Sequence, residues 1–222
     1  SAGAAAADTG AAEAAAFTND EERILYALGV RVGSNLAQLN LSDGEFDHVV
    51  PGMRDMVGGV EPRVDLAMYD PQVDMFANER ITAGMAEAAA GERALAAEFA
   101  NEVAAEPGAE RLDSGVVFVP MIEGDGDNPS AADTVTVHYH GTLRDGTVFD
   151  SSVERDEPAT FPLGGVIPCW TEAVQRISVG GKAKLLCPSD TAYGDQGRPG
   201  IPGGAALLFE VELLGLQGPN DN

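Results

Sequence analysis

Hydrophobic side chains recur at steps of three and four from Asn19 or Asp20 onward. Ile24, Leu25, Leu28, Val32, Leu36 and Leu39 share one face, the pattern of an amphipathic helix. Gly29 and Gly33 lie one turn apart on it. Each costs ~1 kcal/mol against Ala in a helix interior, so they either mark close approach by another backbone or are merely tolerated. Ser42 and Glu45 have capping-box spacing, and Phe46, Val49, Val50, Met53, Met56 and Val57 then form the stripe of a second helix. Pro51 is expected to bend it and Gly58-Gly59 to end it. Between Pro71 and Pro107 the chain is rich in Ala, Glu and Arg and free of proline. It predicts a helical rod of ~50 Å at 1.5 Å per residue, thinly apolar and therefore a connector.

Beyond residue 107 the period changes from 3.6 to 2. Val135, Val137 and Tyr139 alternate with Thr136, His138 and His140, and Asp145-Gly146 signals a hairpin turn. Leu207, Phe209, Val211 and Leu213 alternate with a set that includes Glu210 and Glu212. Between these strands Trp170, Val174 and Ile177 make one short helical pattern, opened by Pro168 and closed by Val179-Gly180-Gly181. The reading is α+β: an antiparallel sheet wrapped around one short helix, preceded by an all-α region and a long connecting helix. In chain order the expectation is a disordered leader over 1–16, a helical domain over 17–70, the connector over 71–107, the sheet domain over 108–217 and a disordered tail over 218–222. The leader holds little except Ala, Gly, Asp and Glu and has no side chain able to offset the entropy of ordering.

Charge then restricts the partners. The 36 Asp and Glu against 13 Lys and Arg, a formal net charge of −23, repel nucleic acid and anionic lipid, both of which bind through clustered basic side chains. No apolar run approaches the ~18 residues of a membrane-spanning helix, and no signal peptide is expected within these residues.

Familiar catalytic groups are missing. There is no G-x-S-x-G, and Gly181-Lys182 lacks the rest of a phosphate loop. His138 and His140 share a strand face without a third ligand nearby in sequence, and Asp125 and Asp127 lack the rest of a calcium loop, so no metal is expected. What stands out is a set of aromatic and branched residues beside turns: Tyr139, Phe149, Phe161, Val166, Ile167, Trp170, Tyr193, Ile201 and Phe209.

Six segments bring these residues into a recognisable order. They are Val135 to Leu143 (VTVHYHGTL), Asp145 to Ser152 (DGTVFDSS), Phe161 to Trp170 (FPLGGVIPCW), Val179 to Lys182, Ala192 to Gly194 and Leu208 to Leu214. In order and spacing, from about 112 to 217, they resemble the signature blocks of the FKBP family of peptidyl-prolyl cis/trans isomerases. The resemblance implies that Trp170 floors a proline pocket, that Tyr139, Phe149 and Phe209 wall it, and that Phe161, Val166, Ile167 and Ile201 form its rim. It further implies that the Ile167 N–H and the Tyr193 hydroxyl meet substrate carbonyls and that Asp150 sits beside the twisting amide. No cofactor is implied. Proline-containing unfolded proteins and macrolide inhibitors are the implied partners. Cys169, where a small residue is common, and the short Arg198 to Gly204 loop depart from the family pattern.

Tyr26 to Leu36 (YALGVRVGSNL), Gly52-Met-Arg-Asp55 and the long helix are similar to the N-terminal module of the macrophage infectivity potentiator group and of periplasmic FKBP chaperones. That similarity implies a homodimer formed by the first helices, and a periplasmic or outer-membrane-associated protein serving extracytoplasmic clients. In the implied fold Cys169 and Cys187 lie on elements that meet, so they are expected to pair; two buried thiols in a reducing cell are the alternative. A dimeric isomerase with chaperone action, a non-catalytic chaperone and a proline-peptide binding module are the functions carried forward.

Overall fold

The computed structural model describes residues 17–218; the leader expected over 1–16 and residues 219–222 of the expected tail lie outside them. Two compact units divide the chain between Gly84 and Met85.

The first unit is helical. Helix α1 (Asp20–Ala37) starts at Asn19, whose side chain accepts the Glu22 N–H, and its first turn carries Asp20, Glu21 and Glu22, which favour the positive end of the helix dipole. Helix α2 (Asp43–Val57) starts with a complete capping box between Ser42 and Glu45, contains Pro51 and ends at Gly58. Neither helix has a buried residue. The side chains of their apolar stripes, among them Leu25, Leu28 and Met56, are 59%, 55% and 70% exposed. Gly29 and Gly33 have open space where a side chain would begin.

Helix α3 (Leu66–Ala104) begins before Pro71, where the sequence reading set its start. Asp65 is the reason: its side chain accepts the Ala67 N–H and its carbonyl accepts the Met68 and Tyr69 N–H groups. Pro71 then falls inside the helix, where it removes the hydrogen bond its N–H would have made and crowds the carbonyl four residues back.

The second unit is an antiparallel sheet whose strands are β1 (Glu110–Arg111), β2 (Val117–Ile122), β3 (Thr134–Thr142), β4 (Val148–Ser151), β5 (Ala159–Pro162), β6 (Lys182–Cys187) and β7 (Leu207–Gln217). Their order is β1-β2-β6-β7-β3-β4, with β5 continuing beside β3. The alternation read along β3 is the burial alternation of the fold: Val135, Val137, Tyr139 and Gly141 point inward between half-exposed Thr136, His138 and His140. Short helix α4 (Pro168–Ala173) lies on that inner face, burying Trp170 and Ala173 among Val135, Leu185, Val211 and Leu213.

The opposite face is also covered. Val117, Val119 and Leu186 pack against Ala100 and Val103 of α3 in a second cluster. Because successive strand residues point to opposite faces, Leu185 belongs to the α4 side and Leu186 to the α3 side. The thin stripe that made the rod look like a bare connector is made of Ala for this reason. Small side chains let a backbone approach: a Cβ on Gly204 would lie 2.2 Å from the Ala89 carbonyl oxygen. Among the described residues no helix is long and apolar enough to cross a membrane.

Candidate functional site

Three strands and one helix bring the aromatic residues together. Tyr139 on β3, Phe161 on β5 and Phe209 on β7 surround Trp170, with ring centroids 5.3, 5.8 and 5.3 Å from it and interplanar angles of 83°, 88° and 81°. Edge-to-face contact is the arrangement that ring quadrupoles favour, so each neighbour fixes the indole plane. Tyr139 and Phe209 reach the indole from the same face of adjoining strands, since Tyr139 pairs with Val211 and Gly141 with Phe209. Trp170 is 4% exposed. Among the described residues its buried Nε1 has no hydrogen-bond partner.

Above the indole opens a cavity of about 300 Å³ lined by Tyr139, Asp150, Phe161, Gly165, Val166, Ile167, Trp170, Tyr193, Arg198 and Phe209. Ile167 is the N-cap of α4, with Pro168 at the first helical position. Its carbonyl accepts the Trp170 and Thr171 N–H groups, while its own N–H makes no hydrogen bond among the described residues. The Tyr193 hydroxyl, across the cavity, accepts a hydrogen bond of 2.8 Å from Arg198 and retains its proton to donate.

Two of the expected residues stand off the cavity. Phe149 lies behind Phe209, edge-on at 5.4 Å, and supports that wall without lining it. Ile201 is 4% exposed and belongs to the core under the loop. Gly165, Arg198 and Arg155 were missed. Gly165 and Arg198 enter through loop conformation, which has no sequence period. Arg155 lies in the turn after β4 and donates to Asp150 at 2.6 Å and to the Tyr139 hydroxyl at 3.1 Å.

Asp150 accepts from the Tyr139 hydroxyl as well, at 2.6 Å. Burial pushes the Asp150 carboxyl up, but the Tyr139 hydroxyl and the Arg155 guanidinium outweigh it and hold the carboxyl below its ordinary range. Burial, with the bond to Asp150, pushes the Tyr139 hydroxyl up. The pair is thus an ionised carboxylate beside a neutral phenol.

His138 and His140 bond Ser152 and Ser151 through their Nδ1 atoms, at 3.1 and 3.0 Å. Among the described residues no group of three or more His, Cys, Asp or Glu is placed to hold a metal ion. Cys169 and Cys187 are joined by a disulfide with Cα atoms 5.6 Å apart, tying α4 beside Trp170 to the end of β6. An apolar floor, a neutral phenol and unspent N–H and O–H donors suit a reaction that reshapes an amide without cutting it.

Comparison with known proteins agrees with that chemistry. The family model for FKBP-type peptidyl-prolyl cis-trans isomerase matches residues 126–214, and that for the domain amino terminal to it matches residues 21–119. The FKBP-type isomerase FkpA of Escherichia coli K12 is 36% identical over 94% of this chain and 80% of its own length. The outer membrane protein MIP of Legionella longbeachae is 32% identical over 93% of this chain and 90% of its own. The crystal structure of E. coli FkpA superposes with a TM-score of 0.74 at 35% identity, covering 92% of this chain and 100% of that one. A chain this similar to FkpA along both its helical and its sheet regions belongs to the FKBP-type peptidyl-prolyl cis-trans isomerases and is an enzyme of that class.

Proposed function

We propose that X–Pro bonds of unfolded extracytoplasmic proteins rotate in the cavity over Trp170, and that the protein acts as a homodimer with chaperone action. The observation that carries the site is the indole held edge-on by three rings under a cavity with two unspent donors.

Rotation about an X–Pro bond breaks amide resonance against a barrier of ~18–20 kcal/mol and moves no proton. The twisted amide has lost charge separation, so an apolar floor favours it over the planar ground state, and each ~1.4 kcal/mol of that preference is tenfold in rate. Tyr139, Phe161 and Phe209 exclude water from the ring, while the Ile167 N–H and the Tyr193 hydroxyl hold the flanking carbonyls. Asp150, ionised and tied to Tyr139 and Arg155, sets the rim that faces the amide. A macrolide that imitates a prolyl peptide occupies the same cavity.

The dimer is supported by the first unit, whose helices α1 and α2 have no fully buried residue within one chain. Leu25, Leu28, Val32, Leu36, Phe46 and Met53 line an apolar groove of about 600 Å³ there. A second copy is the commonest cover for such a face. Two linked cavities then grip a long client by effective concentration, the basis of chaperone action without new contacts. A location in the periplasm or at the outer membrane is supported by the disulfide, since such bonds persist in oxidising compartments.

The test is the exchange rate of a short X–Pro peptide by magnetisation transfer, for the wild type and for folded Trp170→Ala, Tyr193→Phe and Asp150→Ala proteins. Each variant should lose at least about tenfold in kcat/KM. Full activity in all three would remove the reaction from this cavity. Peptide binding without exchange would leave only a binding module.

A further inference from the structure

We propose that Arg198 makes this isomerase select prolines flanked by an acidic residue. The inference rests on the cavity being the isomerase site and adds the chemistry of the segment it takes.

The cations of the second unit are almost all spent on carboxylates. Arg93, Arg144, Arg155, Arg176, Lys182 and Lys184 each form an ion pair. Arg111 bonds the Ala100 carbonyl and Asn101. Arg198 forms no ion pair among the described residues, although the chain has 36 acidic residues for 13 Lys and Arg. It is also the residue that lines the cavity. The other charge there, Asp150, is answered by Arg155 at 2.6 Å. The cavity therefore carries one uncompensated positive charge inside a strongly acidic protein.

That charge is held in place. Arg198 and Ile201 exchange backbone hydrogen bonds of 3.0 and 2.8 Å around Pro199 and Gly200, a tight turn with Gly200 at φ +84. Ile201 anchors the turn in the core at 4% exposure. On the other side a Cβ on Gly197 would lie 2.3 Å from the Ile201 carbonyl oxygen, so the loop has no slack. The guanidinium lies over the Tyr193 ring, 4.8 Å from its centroid, and Nη1 donates to the Tyr193 hydroxyl. One donor of a five-donor fork is thereby used, and the remainder face solvent at the cavity mouth. A peptide whose carbonyl takes the Tyr193 proton brings its neighbouring side chain beside that fork. A carboxylate there completes a pair for which the guanidinium is already oriented; an ammonium is repelled.

The acidic surface acts in the opposite sense and favours basic peptides at long range. Salt separates the two effects. The Debye length is ~8 Å at 0.15 M and ~3 Å at 1 M, so the field of the whole surface is screened before a contact pair is.

The experiment measures kcat/KM by magnetisation transfer for acetylated, amidated tetrapeptides bearing Glu, Gln or Lys before the proline, and for a second set bearing them after it. Blocked ends remove terminal carboxylates as a second source of the same chemistry. Full-length protein is used at ~0.15 M and ~0.5 M salt. In one of the two sets Glu should exceed Lys by about fivefold, with Gln between, and persist at the higher salt. Arg198→Gln should bring the ratio close to one, whereas Arg198→Lys should restore most of it. Equal rates for Glu and Lys in the wild type overturn the proposal, as does a preference that survives in Arg198→Gln. A uniform fall for all peptides in that variant also overturns it and leaves Arg198 as a support for Tyr193 alone. If the wild type exchanges no peptide in either set, the cavity assignment itself fails.

Discussion

Gly141 makes room for Phe149. A Cβ at position 141 would lie 2.7 Å from the Phe149 Cζ and 3.0 Å from the Phe209 Cε1, so two rings that shape one wall of the cavity meet over a residue with no side chain. Gly141→Ala should displace both rings and destabilise the fold by ~1–3 kcal/mol, the range for overpacking a core. The kcat/KM should fall by at least threefold in protein that remains folded. Phe149→Leu in the same background, a smaller side chain beside the new methyl, should recover part of the stability. Thermal melts and peptide exchange of the single and double variants check this, and an Ala variant with unchanged melting and rate would place the rings elsewhere.

The Asp150, Tyr139 and Arg155 triad fixes the pH dependence. Asp150 titrates below its ordinary range in the folded protein, so its contribution is fully present above the unfolded carboxyl value of ~3.9 and is lost as pH falls through the depressed folded value. Tyr139 is shifted up, away from neutrality. With no proton transfer in the reaction, kcat/KM should change by less than about twofold between roughly pH 5 and 9. Arg155→Leu removes one of the groups that hold Asp150 down, and its acid limb should move to higher pH. A limb near neutrality in the wild type would instead implicate a histidine.

Cys169 and Cys187 close a loop with a sequence separation of 18, for which the entropic effect of a crosslink is about 3 kcal/mol. The Cys169→Ala/Cys187→Ala protein should melt lower by on the order of 10 °C. Protein taken from its native compartment should show no alkylatable thiol under non-reducing denaturation. Two free thiols by intact mass would reject the bond in the cell.

What the sequence made legible follows from where periodicity exists. Strand β3 alternates without interruption and α1 carries its cap at Asn19, so both could be read residue by residue. Trp170, Tyr139 and Phe209 came from order and spacing matched to a family, and they do converge. The failures lie where position depends on a loop. Ile201 faces the core because a tight turn points it inward, and Arg198 faces the cavity for the same reason. The burial of Ala89, Ala96 and Ala100 was hidden because a helix that packs backbone to backbone needs no large apolar stripe to advertise it.

The first unit predicts its own oligomeric state. Met56 and Val57 are 70% and 91% exposed at the end of a well-capped helix, and Leu25 and Leu28 line the groove beside them. Leu28→Glu, on the open face, should leave peptide exchange unchanged while converting a dimer to a monomer by light scattering. Suppression of client aggregation should fall with it. A wild type that is monomeric at micromolar concentration would remove the dimer, and equal suppression by both proteins would remove the two-armed grip.

The smallest active fragment should begin near Met85 and not at Gly108, since the end of α3 is built into the sheet. Val117, Val119 and Leu186 are 0%, 4% and 0% exposed, and what covers them includes Ala100 and Val103. Each fully buried aliphatic side chain is worth ~1.5–3 kcal/mol. Losing the cover over three of them removes a large share of the 5–15 kcal/mol that holds an ordinary domain together. The same helix clamps the loop that carries Tyr193: Arg93 pairs with Asp190 at 2.7 Å and Asp195 at 2.5 Å, and Gly204 packs on Ala89. The ion pairs are half exposed and weak, so the close backbone contact is the stronger restraint. A fragment of residues 85–222 should therefore keep kcat/KM for short peptides within about twofold of the whole chain, and a fragment of residues 108–222 should melt on the order of 10 °C lower and exchange peptides more slowly. Gly204→Ala in the whole chain tests the contact without truncation, because both its φ of +81 and the space at Ala89 exclude a side chain. It should reduce activity, whereas Arg93→Gln should reduce it far less. Equal melting and equal rates for the two fragments would show that the helix only carries the sheet domain and takes no part in shaping its cavity.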